Sequence, residues 1–227
     1  MIGQKSTNSP FTNIVVNNKE KKIPIFYEEF QIDLKQATEK TINSVLFCPF
    51  DNATDLLACG VRERIFIYHI SLNGNDNKQQ SDDSGTEFDY KFIYDYICGS
   101  KCSSLAFGPK TRYSAQTQQG FLSLAVATDD FCILLLNQSI QSTNENADQQ
   151  FFAGHINHIN DMAFEPISGE QLASTGDDCT CIIRSLRENS DDKNIVKIML
   201  SSPGVNVKWH RTEPNKVSNR FFFKTKN

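Results

Sequence analysis

The sequence predicts an all-β protein built from repeated small antiparallel sheets, on three observations. A short motif recurs four times along the 227 residues. Each of the first three copies is followed by two strand-like runs separated by a polar turn. No segment carries a sustained helical period.

The motif comes first in each unit. "NSVLFCPF" (43–50), "SSLAFGPK" (103–110) and "NDMAFEPI" (160–167) each set a small or polar start before alternating apolar residues, a Phe, any residue and a Pro. "VNVKWHR" (205–211) opens a fourth copy with Trp209 in the Phe position. Alternation at period two marks a strand with one buried face. The paired runs come next: "DLLACGVRERIFIYHI" (55–70), "LSLAVATDDFCILLLN" (122–137) and "QLASTGDDCTCIIRSL" (171–186). Their second halves are rich in β-branched and aromatic residues, which suit a pleated surface. A last strand is expected at "FDYKFIYDYI" (88–97), "QQFFA" (149–153) and "NIVKIMLS" (194–201).

Phe47, Phe107, Phe164 and Trp209 are separated by 60, 57 and 45 residues. The longer intervals hold polar inserts, "SLNGNDNKQQSDDSGT" (71–86) and "NQSIQSTNENADQQ" (137–150), which cannot bury apolar area and read as flexible loops. Without them the period falls to about 40 to 45 residues, the length of a four-stranded propeller blade. One blade cannot bury both of its faces, so it needs a neighbour on each side, and closing the ring removes most of the edge problem. Phe47, Phe107 and Phe164 are therefore expected in the core between blades.

The chain divides accordingly. Residues 1–23 read as a flexible N-terminal segment. Residues 24–211 read as propeller blades, with units near 42–97, 103–153, 154–201 and 205–211. Residues 212–227 read as a divergent C-terminal tail, in which Asn215, Ser218 and Asn219 interrupt any strand.

Composition narrows the function. A net charge of -4 gives no general attraction to phosphate backbones, so direct nucleic-acid binding is not expected. The first residues lack an apolar signal region, and the longest apolar run in mid-chain, "FCILLL" (131–136), is far short of the roughly 20 residues a membrane helix needs. A soluble intracellular protein without membrane insertion is expected. The seven cysteines are an odd number, mostly inside strand-like runs. They read as free thiols packed as small hydrophobes in a reducing compartment.

The third unit, "GHINHINDMAFEPISGEQLASTGDDCTCIIRSL", resembles a WD repeat. Gly154–His155 opens it, "LAS" (172–174) is strand b and Asp178 stands in the b–c turn. In such repeats a His, a strand-b Ser or Thr, the turn Asp and a strand-c Trp form a buried hydrogen-bonded tetrad. The resemblance assigns those places to His155, Ser174, Asp178 and Arg184. Arg184–Ser185 stands where the family has its Trp–Asp pair, so the network lacks its outer anchor.

The likeness is also more specific. "SVLFCPFDN", "GHINHINDMAFEP", "GEQLASTGDDCTC" and "SSPGVNVKWH" follow one another collinearly within residues 26–211. Together they resemble the family of thirty-seven-kilodalton nucleoporins, WD-repeat subunits of the Y-shaped outer-ring complex of the nuclear pore. The resemblance implies an architectural role at the nucleus, nuclear envelope and pore, supporting transport of protein and mRNA. It implies docking on the large 160-kilodalton propeller–solenoid nucleoporin of that complex, and kinetochore visits in some lineages. Such proteins close a seven-bladed ring. This sequence supplies an incomplete WD-repeat β-propeller, about three and a half blades of a presumed seven. In the family "PIFYEEFQIDL" (24–34) would supply the strand that clasps the last blade. An unfinished last unit leaves an exposed β-edge and an apolar face, which invite aggregation or pairing with another chain. The alternative is a generic WD-repeat adaptor, as a ubiquitin-ligase substrate receptor or a chromatin-complex subunit.

Candidate chemistry is sparse. His155, Asp178, Cys179 and Cys181 hold metal-ligating atoms, but Cys-x-Cys has no second Cys or His pair at ligand spacing. An Asp accepting hydrogen bonds from turn amides and a buried imidazole is the expected arrangement. His158 is expected in a solvated loop, and Cys98 and Cys102 join one unit to the next as free thiols. "NNKEKK" (17–22) and "KTKN" (224–227) read as solvated basic clusters. No phosphate-binding loop, H-E-x-x-H or nucleophile elbow is present in the sequence. The expectation is a non-enzyme with no cofactor and no metal.

Overall fold

A computed structural model gives the fold, and it describes residues 11–16, 19–24, 41–73, 87–141, 148–187, 195–210, 213 and 216–221. The chain divides into two compact units, Met1–Leu34 and Lys35–Asn227. Among the described residues every regular element is a strand.

The first unit holds an antiparallel hairpin of β1 (Phe11–Val16) and β2 (Lys19–Pro24), in register from Phe11↔Pro24 to Val16↔Lys19. Residues 25–34 of the expected clasping strand lie outside the described residues.

The second unit is a series of sheets with the chain order of propeller blades. Blade 1 is β3 (Ile42–Phe47), β4 (Leu56–Val61), β5 (Arg64–Asn73) and β6 (Glu87–Ile97), each hydrogen-bonded to the next. Blade 2 is β7 (Cys102–Phe107), β9 (Gln119–Thr128), β10 (Ile133–Ile140) and β11 (Asp148–Phe152). It also carries β8 (Arg112–Ser114), which pairs with the start of β9. Blade 3 is β12 (Ile159–Phe164), β13 (Gln171–Gly176), β14 (Thr180–Ser185) and β15 (Ile195–Met199). A two-stranded sheet follows, β16 (Gly204–Trp209) with β17 (Val217–Phe221). All these pairings are antiparallel. The four strands of a blade are called a to d in this order.

Strand a carries a β-bulge at one and the same place in all four sheets, after Ile42, Cys102, Ile159 and Gly204. A bulge re-aims the residues around it and sharpens local twist, which fits a strand packed against a neighbouring sheet. The blades stack through three apolar layers. Ile65, Ile67 and Tyr96 of blade 1 meet Leu105, Phe107 and Leu134 of blade 2. Ala125, Ala127 and Leu135 of blade 2 meet Ile159, Met162 and Phe164 of blade 3. Ala173 and Cys181 of blade 3 meet Val207, with Trp209 against them.

One contact recurs at each joint, with the sizes exchanged. A strand-b residue faces the residue just before the next blade's bulge. At the first joint Gly60 leaves room for the Cys102 thiol. At the second, Ala127 and Ile159 hold the matching places. At the third, the Thr175 hydroxyl stands where a side chain on Gly204 would begin.

Three expectations are corrected. Phe107 and Phe164 are buried, but Phe47 is 53% exposed, because no described blade precedes blade 1 to cover it. The polar inserts are not loops throughout, since β5 runs to Asn73, β10 to Ile140 and β11 starts at Asp148. Gln138, in one of these extensions, accepts a hydrogen bond from the Tyr96 hydroxyl of blade 1. The tail forms strand β17, with Val217 opposite Trp209 and Asn219 opposite Val207. Period two places Ser218 on an exposed face, so its polarity interrupts nothing.

Candidate functional site

The b–c turn of blade 3 builds a connected polar cluster. Strands β13 and β14 pair up to Thr175↔Cys181, and Asp177, Asp178 and Cys179 round the corner. Cys179 takes a left-handed φ of 57°, the setting of a type I turn closed by one αL residue. That geometry turns the Asp178 carboxylate back over the turn. Its Oδ1 accepts the Thr180 amide at 3.1 Å and the Thr180 hydroxyl at 2.7 Å. Its Oδ2 accepts the Ile156 amide at 3.1 Å and lies 2.9 Å from His155 Nδ1. On the other side of the ring, His155 Nε2 lies 2.8 Å from Ser174 Oγ. The neutral ring donates from Nδ1 to Asp178 and accepts the Ser174 hydroxyl at Nε2.

Burial sets the charges. Desolvation holds His155 below its ordinary pKa, and neighbouring Lys197 and Arg184 add to this against the pull of Asp178. Burial works to raise Asp178, but the Thr180 hydroxyl, the Ile156 amide and His155 outweigh it and hold the carboxyl below its ordinary range. The pair is a neutral imidazole on a carboxylate.

Arg184 does not extend the tetrad outward from His155. It lies buried one blade-edge away, donates to the Ala153 carbonyl and places its guanidinium 4.8 Å above the Phe152 ring. Stacking on an aromatic face suits the planar guanidinium. Gly154 passes close by, where an added Cβ would stand 3.2 Å from the Arg184 guanidinium. Arg184 thus fastens the backbone just before His155, the end that the missing Trp leaves open.

Asp178, His155 and Ser174 are connected in the order of a hydrolytic triad, so catalysis needs a specific answer. A nucleophile must reach a substrate and have an oxyanion site beside it. Ser174 is buried in the middle of β13, in blade 3's sheet. Three cavities among the described residues, of about 500, 570 and 190 Å³, are lined by other residues. The arrangement fastens the b–c turn. Among the described residues no group of three or more His, Cys, Asp or Glu side chains could hold a metal ion. Cys179 sits on the turn and Cys181 is buried against Val207.

The other candidates lie apart. His158 stands just before β12 and accepts the Asp177 amide at its carbonyl, 2.9 Å away. Cys98 and Cys102 flank the link between blades 1 and 2, both buried, with burial raising their thiols to about 11 and about 12. Such thiols stay protonated and inert at neutral pH. Among the described residues no helix is long and apolar enough to cross a membrane.

Blade 2 repeats the turn without the histidine. Asp129–Asp130–Phe131 rounds it with Phe131 at φ 66°, and Asp129 Oδ1 accepts the Ser100 hydroxyl at 2.7 Å. The Asp–Asp doublet at 129–130 and 177–178 was the sequence signal for this equivalence. Glu165 is a polar fastening that sequence reasoning missed. Its buried carboxylate gathers the amides of Ile167 at 2.9 Å, Ser168 at 2.6 Å and Gly169 at 3.2 Å in the a–b turn.

Sheet order, the shared bulge and the histidine-fastened turn define the class: this is a WD-repeat β-propeller fold. Two chains from solved structures of ctPRC2 share it, one from the apo complex in an autoinhibited state. They match with TM-scores of 0.54 and 0.55 at 17% and 18% identity. The matches cover 84% and 78% of this chain and 38% and 34% of theirs. No protein-family model matches the sequence.

In sequence the chain resembles nucleoporin Nup37. It is 27% identical to the mouse and human proteins over 181 residues, which is 79% of this chain and 51% of theirs. It is 30% identical to the Drosophila melanogaster protein over 174 residues, 75% of this chain and 49% of that one. The chain spans about half the length of these curated relatives.

Proposed function

We infer that the protein is a structural scaffold subunit of the nuclear pore outer ring, working by protein–protein docking in support of nucleocytoplasmic transport. The observation that carries this reading is the likeness to Nup37, which extends over three quarters or more of the chain. The architecture supports it. Stacked blades give a rigid surface, and Ser174 of the triad-like cluster is buried within its sheet.

In this reading the His155–Ser174–Asp178 network is structural, and no cofactor or metal takes part. The partners are other nucleoporins of the Y complex, chiefly the large 160-kilodalton propeller–solenoid subunit. The site of action is the nuclear envelope. Affinity capture from nuclear-envelope extract tests it. Recovery of outer-ring nucleoporins is the expected result. Recovery of a cullin assembly or of histone-modifying subunits instead would move the protein to the generic adaptors.

A further inference from the structure

Blades 2 and 3 part beside their a–b connections and leave a cavity of about 500 Å³ at the second joint. Pro109 and Leu135 of blade 2 and Phe164 and Leu186 of blade 3 give it an apolar lining. A polar row crosses the blade 2 wall. Ser123 of strand b stands opposite Asn137 of strand c, and Asn137 opposite Asp148 of strand d. Lys110, just after strand a, stands at the inner end of that row. Ser123 is only 5% exposed, and its backbone is bonded to Thr111 and Gly108. Its hydroxyl has no hydrogen-bond partner among the described residues, and neither has the Asn137 side-chain amide. A Cβ added to Gly108 would stand 2.6 Å from that hydroxyl and 3.4 Å from the Phe164 ring, so the hydroxyl lies on the side of blade 3. A hydroxyl buried without a partner is costly, and a site that leaves one open suits a ligand that meets it.

The first joint shows what such a place takes. Leu56 and His69 of blade 1 hold the register places of Ser123 and Asn137. There the chain covers its own row. The a–b connection of blade 2, residues 108–118, carries β8, and Tyr113 of β8 packs against the apolar layer with its ring centre 5.4 Å from that of His69. The Tyr113 amide donates to the Asn52 carbonyl at 3.2 Å. In blade 3 the connection is residues 165–170 alone, folded over the Glu165 carboxylate, with no counterpart of β8. The second joint therefore holds the seat of Tyr113 without a tyrosine.

We propose that this cavity binds a tyrosine side chain on an extended segment of a partner protein, doing at the second joint what Tyr113 does at the first. The apolar lining takes the ring. The exchanged residues set the selectivity. Where the first joint has Leu56 and His69, the second offers the Ser123 hydroxyl and the Asn137 amide to the phenol oxygen. A site built to bond a hydroxyl rejects the analogue that lacks it. Lys110 and Asp148 have no charge partner among the described residues, so they favour an acidic residue on one side of the tyrosine and a basic one on the other. The volume falls within the roughly 300–1,000 Å³ of small-ligand sites. The proposal does not depend on the nuclear-pore reading.

The test is calorimetric titration of the purified 227-residue chain with the blocked tripeptide acetyl-Glu-Tyr-Lys-amide, alongside isotope-edited NMR. A Kd of about 1 mM or tighter is expected. The shifted amides should centre on Ser123, Leu135 and Asn137. The same peptide with Phe for Tyr should bind at least about tenfold more weakly. Asn137→Leu alters a half-buried side chain that bonds nothing, so far-UV circular dichroism should be unchanged while the preference for tyrosine shrinks. Lys110→Glu should weaken the tripeptide at low salt and matter little at high salt. A weaker Kd, or none, overturns the proposal. So does a Phe peptide that comes closer than tenfold, or a set of shifts centred on Asn52 and Tyr113, which would place the peptide at the first joint. A preference that survives Asn137→Leu in full, or a tripeptide indifferent to Lys110→Glu at low salt, counts against it too. The comparison of Tyr and Phe peptides on the unmodified chain needs no variant to fold. Capture of outer-ring nucleoporins is a separate measurement, so each reading can fail without the other.

Discussion

Trp209 reaches from β16 across to blade 3 and donates its indole N–H to the Ala163 carbonyl at 2.8 Å. With Asn206 and the Val207 amide on Asp161, it holds the two-stranded sheet to its neighbour by polar contacts. A two-stranded sheet is marginal alone, so these bonds matter more here than at a complete blade. Trp209→Phe keeps most of the apolar contact and deletes the donor. The expected cost is about 1 kcal/mol, with the Ala163 carbonyl left unsatisfied. Hydrogen exchange should show amides of β16 and β17 opening faster while those of β9 and β10 keep their protection.

Asp178 is the acceptor on which the b–c turn of blade 3 depends. Asp178→Ala strands the Ile156 and Thr180 amides and one nitrogen of His155. Losing partners inside a buried network costs on the order of 1–3 kcal/mol, so the urea midpoint should fall with the slope unchanged. His155→Ala should cost far less in the Asp178→Ala background than alone, since contacting residues are not additive.

Acid should weaken the protein through the same pair. His155 titrates below its ordinary 6.5 when folded, so the unfolded chain takes the proton first. Its contribution is intact above pH 6.5 and is lost as pH falls through the lower folded value. Asp178, held below its ordinary 3.8, contributes above that pH and loses its contribution on further acidification. Urea midpoints taken from pH 8 down to about pH 5 should decline on the acid side of this range. The decline should flatten in His155→Gln, and an identical profile in that variant would show that other groups cause it.

Gly204 has no room for a side chain because the Thr175 hydroxyl stands in its place. Gly204→Ala should destabilise by about 1–3 kcal/mol through overpacking. Adding Thr175→Gly should recover much of this, because the two residues share one space. The hydrogen bond from Thr175 Oγ1 to the Thr180 carbonyl, 3.1 Å, is lost in exchange. A double-mutant cycle with a coupling energy near zero would mean that the crowding lies elsewhere.

The repeats and the strand order were legible because each rests on local pattern, whereas the place of His155 beside Asp178 and Ser174 came from the resemblance to a WD repeat. Alternation, turn chemistry and a recurring Phe-x-Pro need no knowledge of distant contacts. The role of Arg184 was not legible, because it depends on Phe152 meeting it from β11 of the preceding blade. Glu165 escaped for a related reason. Its places in the other motifs hold Cys48 and Gly108, so repetition offered no hint of a carboxylate that folds over its own turn. Phe47 shows the opposite failure. The motif was read correctly, but burial belongs to a pair of blades and cannot be assigned to one member. Strand β17 was misread because Ser218 and Asn219 were weighed by composition instead of by alternate faces.

The exchanged sizes at the three joints also bear on how such a chain can evolve. Repeat genes grow by copying and reshuffling units, yet these units are not interchangeable. A duplicate of blade 3 set behind itself would force Thr175 against Ile159, and deletion of blade 3 would bring Ala127 to face Gly204 across a hole. The order of the blades is therefore written into which residue at each seam is the small one. A recombination event would have to change both sides of a seam together to survive.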